Sequence, residues 1–173
     1  MRPGEVDGRD YYFVTAERFR HLVTEGKFIE HAEYAGHLYG TSRDALEGPL
    51  GDGFDLLIEI EVQGARQLRE TRQDARFLFL LPPDFHELER RLRERGTDAP
   101  DVVEHRLALA DRELEAVKFF DYAIVNDEVE QAVEAVLAIV KAERNGQTEG
   151  VRARFGRDRV LAGWPGWLER RAR

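Results

Sequence analysis

The sequence predicts an α/β fold built on a parallel sheet with helical crossovers, preceded by a small mixed-sheet subdomain. Two observations carry this. From residue 56 onward the apolar runs Leu56–Val62, Arg76–Leu81 and Tyr122–Asn126 alternate with helical patterns, and near-continuously apolar strands belong to sheets covered on both faces. Before residue 50, short alternating segments are punctuated by Gly36 and Gly40, the pattern of a smaller sheet with one wet face.

Residues 2–14 carry turn chemistry, Pro3-Gly4 and Asp7-Gly8, and then the β-prone run Tyr11-Tyr12-Phe13-Val14, so a loop followed by a strand is expected. Thr15 is placed to cap a helix from Ala16 to Glu25, with Phe19, Leu22 and Val23 on one face and Gly26 as its stop. Phe28 to Tyr34 alternates as a strand does, and Thr41 is expected to cap a short helix through Leu46. Further helices are expected over 65–73, Phe85–Arg95, Asp101–Val117 and Glu130–Glu143. Residues 146–173 break every period with Gly146, Gly150, Gly156, Gly163, Pro165 and Gly166; they read as a poorly ordered, Arg-rich tail with a short helix near Trp167 to Arg171.

A chain of 173 residues supports one ordinary domain with a sizeable core. No apolar run approaches the length of a membrane span, and no apolar stretch follows the first charges as in a secretory leader, so the expected compartment is the cytoplasm and no membrane partner is expected. The absence of cysteine excludes disulfides, thiolate metal sites and a thiol nucleophile. Net charge is −8, unevenly spread: residues 151–173 hold seven Arg against Asp158 and Glu169, leaving −13 on residues 1–150. A body that acidic repels a phosphate backbone, so no nucleic-acid partner is expected.

In open parallel sheets the chemistry gathers at the carboxyl ends of strands. Glu59 and Glu61 stand near the end of an apolar run, immediately before Gln63-Gly64. The successive segments Arg2-Pro-Gly-Glu-Val-Asp-Gly-Arg-Asp-Tyr-Tyr-Phe-Val, Phe28-Ile-Glu-His-Ala-Glu-Tyr, Tyr39-Gly-Thr-Ser and Ile58-Glu-Ile-Glu-Val-Gln-Gly-Ala closely resemble, in order and spacing, the motifs of guanylate kinases. Leu81-Pro-Pro, Arg90-Arg-Leu-Arg-Glu-Arg-Gly-Thr, His105-Arg106-Leu and Ile124-Val-Asn-Asp-Glu-Val resemble that family's lid and adenine-side segments. The resemblance covers roughly residues 2 to 144.

The resemblance implies a P-loop nucleoside monophosphate kinase-like sheet with a GMP-binding subdomain at about 2–50, a helical lid at about 90–108, and a kinase-like domain over 1–145. Its implied activity is transfer of the ATP γ-phosphoryl group to GMP, giving GDP and ADP, with Mg²⁺ accompanying ATP. On the GMP side it implies Glu30 as acceptor of the guanine N1–H and amino group, Glu61 as a further acceptor, and Thr41 toward O6. Arg2, Tyr11 and Tyr39 correspond to the family's grip on the GMP phosphate, and Glu59 to a carboxylate near magnesium and the phosphates. The lid arginines Arg91, Arg95 and Arg106 correspond to catalytic groups over the ATP phosphates, and Asn126 to a position near adenine. No metal-ligating cluster is otherwise expected.

One family element has no counterpart here. The strand, GxxxxGK[ST] loop and helix that hold ATP phosphates do not occur among the 173 residues. Gly48, Gly51 and Gly53 lack the lysine, and Gly26-Lys27 is followed by Phe28. A chain without that loop is expected to be an N-terminally truncated kinase, inactive alone. The alternative is a non-catalytic guanylate kinase-like interaction module or GMP-binding protein.

Overall fold

A computed structural model describes residues 4–34, 36–72, 74–94 and 100–165. The chain divides into two compact units, Met1–Gln73 and Asp74–Arg173.

In the first unit, helix α1 (Ala16–Thr24) starts where the sequence predicts, with the Thr15 hydroxyl accepting from the Arg18 N–H at 3.1 Å. Strands β1 (Phe28–Tyr34) and β2 (His37–Ser42) form an antiparallel ribbon. Its register slips once, Phe28 opposing Ser42 and Glu30 opposing Thr41, so two residues of β1 face one step of β2. That bulge turns Phe28 and Glu30 to opposite faces. Phe28 can therefore stack on Phe19 of α1, ring centroids 4.7 Å apart, while Glu30 points the other way. Helices α2 (Asp44–Gly51) and α3 (Val62–Thr71) follow.

Three expectations fail in this unit. Thr41 caps no helix: it lies within β2, and α2 begins after Arg43. Tyr11–Val14 forms no strand, only an isolated bridge between Asp7 and Tyr11. The Asp10 and Asp7 carboxylates take the N–H groups of Val6 and Phe13, both at 2.8 Å, and so compete with any ladder. Leu56–Val62 is not a buried strand either; residues 54–61 are in no sheet, Leu57 is 82% exposed, and Val62 already belongs to α3. An apolar run becomes a strand only beside hydrogen-bonding neighbours, and among the described residues none pairs with it.

In the second unit, β3 (Leu78–Leu81) and β4 (Tyr122–Val125) pair in parallel, as the apolar runs imply. Between them come α4 (Phe85–Glu94), α5 (Pro100–Ala116) and a 3₁₀ turn over Val117–Phe119; α6 (Val129–Arg144), α7 (Glu149–Phe155) and α8 (Arg157–Gly163) follow β4. Alternation along β4 feeds two cores. Ala123 packs with Leu81, Leu114, Val117, Leu161 and Trp164. Tyr122 and Ile124 pack with Ala132, Ala135 and Ile139.

The expected loose tail is corrected here. Residues 149–163 form α7 and α8, and Trp164 is 1% exposed, its indole N–H donating to the Pro82 carbonyl at 2.7 Å. Glycine breaks the helical period without dissolving the structure. At the corner between α7 and α8, a Cβ on Gly156 would sit 2.4 Å from the Arg152 carbonyl oxygen, an approach only glycine allows. The Arg157 guanidinium donates to the carbonyls of Lys118 and Phe120, tying α8 to the 3₁₀ turn. The short helix expected near Trp167 to Arg171 lies outside the described residues.

Glu143 of α6 joins these parts. It receives Arg76 at 2.8 Å, Arg152 at 3.3 Å and the Tyr122 hydroxyl. Burial opposes its charge, but the Tyr122 and Arg76 hydrogen bonds outweigh it and hold the carboxyl below its ordinary range. Burial, and then the bond to Glu143, pushes the Tyr122 phenol up to about 12. The signs are opposite. A lowered carboxyl contributes stability above its unfolded value and loses it as pH falls through the folded one; a raised phenol contributes below 10 and loses it up to about 12. Thermal midpoints measured against pH should therefore decline at both ends, and Tyr122→Phe should remove the alkaline decline between pH 10 and about 12.

Candidate functional site

Directly opposed residues of an antiparallel pair share a face. Glu30 opposes Thr41 and Ala32 opposes Tyr39, so all four lie on one side of the β1–β2 ribbon. Glu30 is the sole buried charged or polar residue among those described, at 5% exposure. The Thr41 hydroxyl donates to its Oε1 at 2.6 Å. Tyr39 meets Tyr11 edge to face, centroids 6.0 Å apart, and Tyr11 is about half exposed. A carboxylate and hydroxyl at one end, and two phenols within ring contact two residues along the strand, make a polar face with distinct ends.

Helix α3 closes on the Glu30 end. A Cβ on Gly64 would lie 2.2 Å from Glu30 Oε2, so the helix backbone stands where a side chain would collide with the carboxylate. Glu61 is the residue preceding this helix, partly buried, its carbonyl accepting from Ala65 at 2.9 Å; Glu59 is exposed.

In the second unit, Arg91 and Asn126 come together through the backbone. Arg91 Nη1 donates to the Asn126 carbonyl at 2.8 Å and Nη2 to that of Asp127 at 3.3 Å, while Nε donates to Glu87 at 2.6 Å. Hydrogen bonds from Arg90 and then Arg91 hold the Glu87 carboxyl down to about 2. The Asn126 N–H donates to the Leu81 carbonyl at 2.7 Å, fixing the loop after β4 against the end of β3. Arg106 is half-buried on α5. Arg2 and Arg95 lie outside the described residues.

Sequence reasoning missed the burial of Glu30, which alternation alone leaves on a wet face, and the close approach of Gly64 to its carboxylate. A glycine in the first turn of a helix was the available signal, since helices disfavour it unless space demands it.

A sequence model described as guanylate kinase matches residues 1–143. The chain belongs to the guanylate kinase family. Among its relatives, the guanylate kinase of Thermus thermophilus is 52% identical over 143 residues, covering 83% of this chain and 65% of the relative. That of Streptococcus agalactiae is 48% identical over the same length, covering 68% of the relative. The matched stretch thus spans slightly less than two thirds of the Thermus protein. The crystal structure of guanylate kinase from Anaplasma phagocytophilum superposes with a TM-score of 0.70 at 33% identity, covering 95% of this chain and 80% of that one. The guanylate kinase-like α/β fold, with its helices and small sheets, is therefore established for this chain. No helix among the described residues is long and apolar enough to cross a membrane.

Proposed function

We propose that this chain carries the GMP-recognising part of a guanylate kinase, an enzyme that moves the ATP γ-phosphoryl group to GMP. The observation that carries the reading is the buried Glu30 carboxylate, held by Thr41 on the same ribbon face as Tyr39. Guanine presents N1–H and an amino group as adjacent donors, which a carboxylate accepts together; adenine leaves that buried carboxylate partly unpaired. Glu61 is a second acceptor and Thr41 faces O6. Tyr11 and Tyr39, with Arg2, donate to the phosphate dianion, the ligand hydroxyl and guanidinium groups suit.

On the ATP side, Arg91, Arg95 and Arg106 neutralise charge on the moving phosphoryl group and Asn126 lies near adenine. Magnesium favours one or two carboxylates plus phosphate oxygens. Glu59, an exposed carboxylate, would be a single protein contact to an ion held chiefly by nucleotide, and that ion would neutralise phosphate charge. Residues 1–145 are the kinase-like domain, with the GMP subdomain at about 2–50 and the lid at about 90–108. Without the GxxxxGK[ST] loop that holds the ATP phosphates, the 173-residue polypeptide is inactive alone.

A second reading has one observation in its favour. Arg91 is engaged by Glu87 and two backbone carbonyls, as suits a structural residue of a non-catalytic interaction module or GMP-binding protein. Calorimetric titration of GMP and AMP into the 173-residue chain, with a coupled assay for ADP, tests both. Selective GMP binding without turnover is expected; turnover at the level of an intact kinase overturns inactivity, and equal response to GMP and AMP overturns the guanine site.

A further inference from the structure

A buried carboxylate reads a base only if it is held where the donors arrive. In β1 the strand ladder does not hold it alone, because the register slips between Phe28 and Glu30. A bulge leaves an unpaired residue and a bend next to the critical side chain. What fixes the strand beyond the slip is a side chain of α3. Gln67 Nε2 donates to the His31 carbonyl at 2.7 Å, and the His31 N–H donates to Gln67 Oε1 at 3.2 Å. The primary amide thus imitates the edge of a neighbouring strand for one residue, satisfying both main-chain groups on the side away from β2. Three residues earlier on the same helix, and so on the same face, Gly64 brings the backbone against Glu30 Oε2.

We infer that Gly64 and Gln67 are positioning residues for guanine discrimination: Gln67 fixes the backbone of β1 next to Glu30, and Gly64 leaves the space that fixes the carboxylate itself. Neither touches nucleotide; both act through Glu30. The inference rests on Glu30 being the reader of guanine. It adds that discrimination belongs to the α3–β1 junction and not to the β1–β2 ribbon alone.

The test is calorimetric titration of the full chain with GMP and with inosine monophosphate, which keeps N1–H and O6 but lacks the exocyclic amino group. Gly64→Ala places a methyl on Glu30 Oε2, and Gln67→Leu removes both bonds to His31 at similar volume. Each should lower the GMP-to-inosine monophosphate affinity ratio by about tenfold or more, the order expected for a displaced hydrogen bond to a charged group. Gln67→Glu keeps an acceptor for the His31 N–H and loses the donor, and should fall between Gln67→Leu and the parent chain. Hydrogen exchange at the His31 amide should quicken in Gln67→Leu. A merely structural role would weaken both nucleotides alike and leave the ratio unmoved. If Gly64→Ala does not fold, the two Gln67 variants decide. An unchanged ratio in the folded variants, with Glu30→Gln losing it, overturns the positioning role alone. A parent chain that does not bind GMP, or an unchanged ratio in Glu30→Gln, overturns the guanine reading and this inference with it.

Discussion

Glu30→Ala is expected to erase the preference for GMP over AMP, a loss of up to roughly four orders of magnitude in the affinity ratio if the site rejects adenine as polar sites reject ligands that leave their groups unpaired. Nearly all of this should come from weaker GMP binding, because the alanine variant loses the acceptor for two donors at once. The variant should still fold. Removing a buried carboxylate also removes its desolvation cost, and the Thr41 hydroxyl, part-buried, can turn to water or to a backbone carbonyl. Calorimetry with both nucleotides, beside a melting curve, separates the loss of recognition from loss of structure; an unchanged ratio in a folded variant would remove Glu30 from the site.

Trp164→Ala should cost the second unit about 3–5 kcal/mol, the range for deleting a large aromatic side chain from a core. Trp164 is 1% exposed, contacts Phe85 with ring centroids 5.6 Å apart and supplies the hydrogen bond to Pro82. Its removal leaves both a cavity and an unpaired carbonyl beneath α4. Denaturant unfolding followed by far-ultraviolet circular dichroism measures the change. A difference under 1 kcal/mol would restore the view of residues 146–173 as a passive tail. Trp164→Phe, which keeps most of the volume but not the donor, should fall between the two.

These results mark where the sequence was readable. Local signals sufficed for the Thr15 cap of α1 and the start of α4 at Phe85, and for Phe28 to Tyr34 and the apolar run of β4, whose partner strands are present to pair with them. They misled where distant partners decide the outcome. Leu56–Val62 has strand composition, but a ladder is a property of pairs and its composition does not supply one. Thr41 has the right hydroxyl for a cap and spends it on Glu30 eleven residues away. The segment after α6 looks disordered because its helices are only seven residues each, too short to display a period, and are held by contacts to Lys118, Phe120 and Pro82 far back in the chain. The polar face of the ribbon was legible as a motif; the burial of Glu30 was not, because one glutamate in an alternating strand looks like any other solvated side chain until α3 covers it.

The amide of Gln67 has one more effect. An outer strand with vacant main-chain donors and acceptors invites foreign strands to add to it, a common beginning of aggregation. On β1 that invitation is withdrawn at His31, where the peptide groups on the outer side are already occupied by a side chain too short to propagate a sheet. The device that steadies the ribbon thereby also stops it from growing.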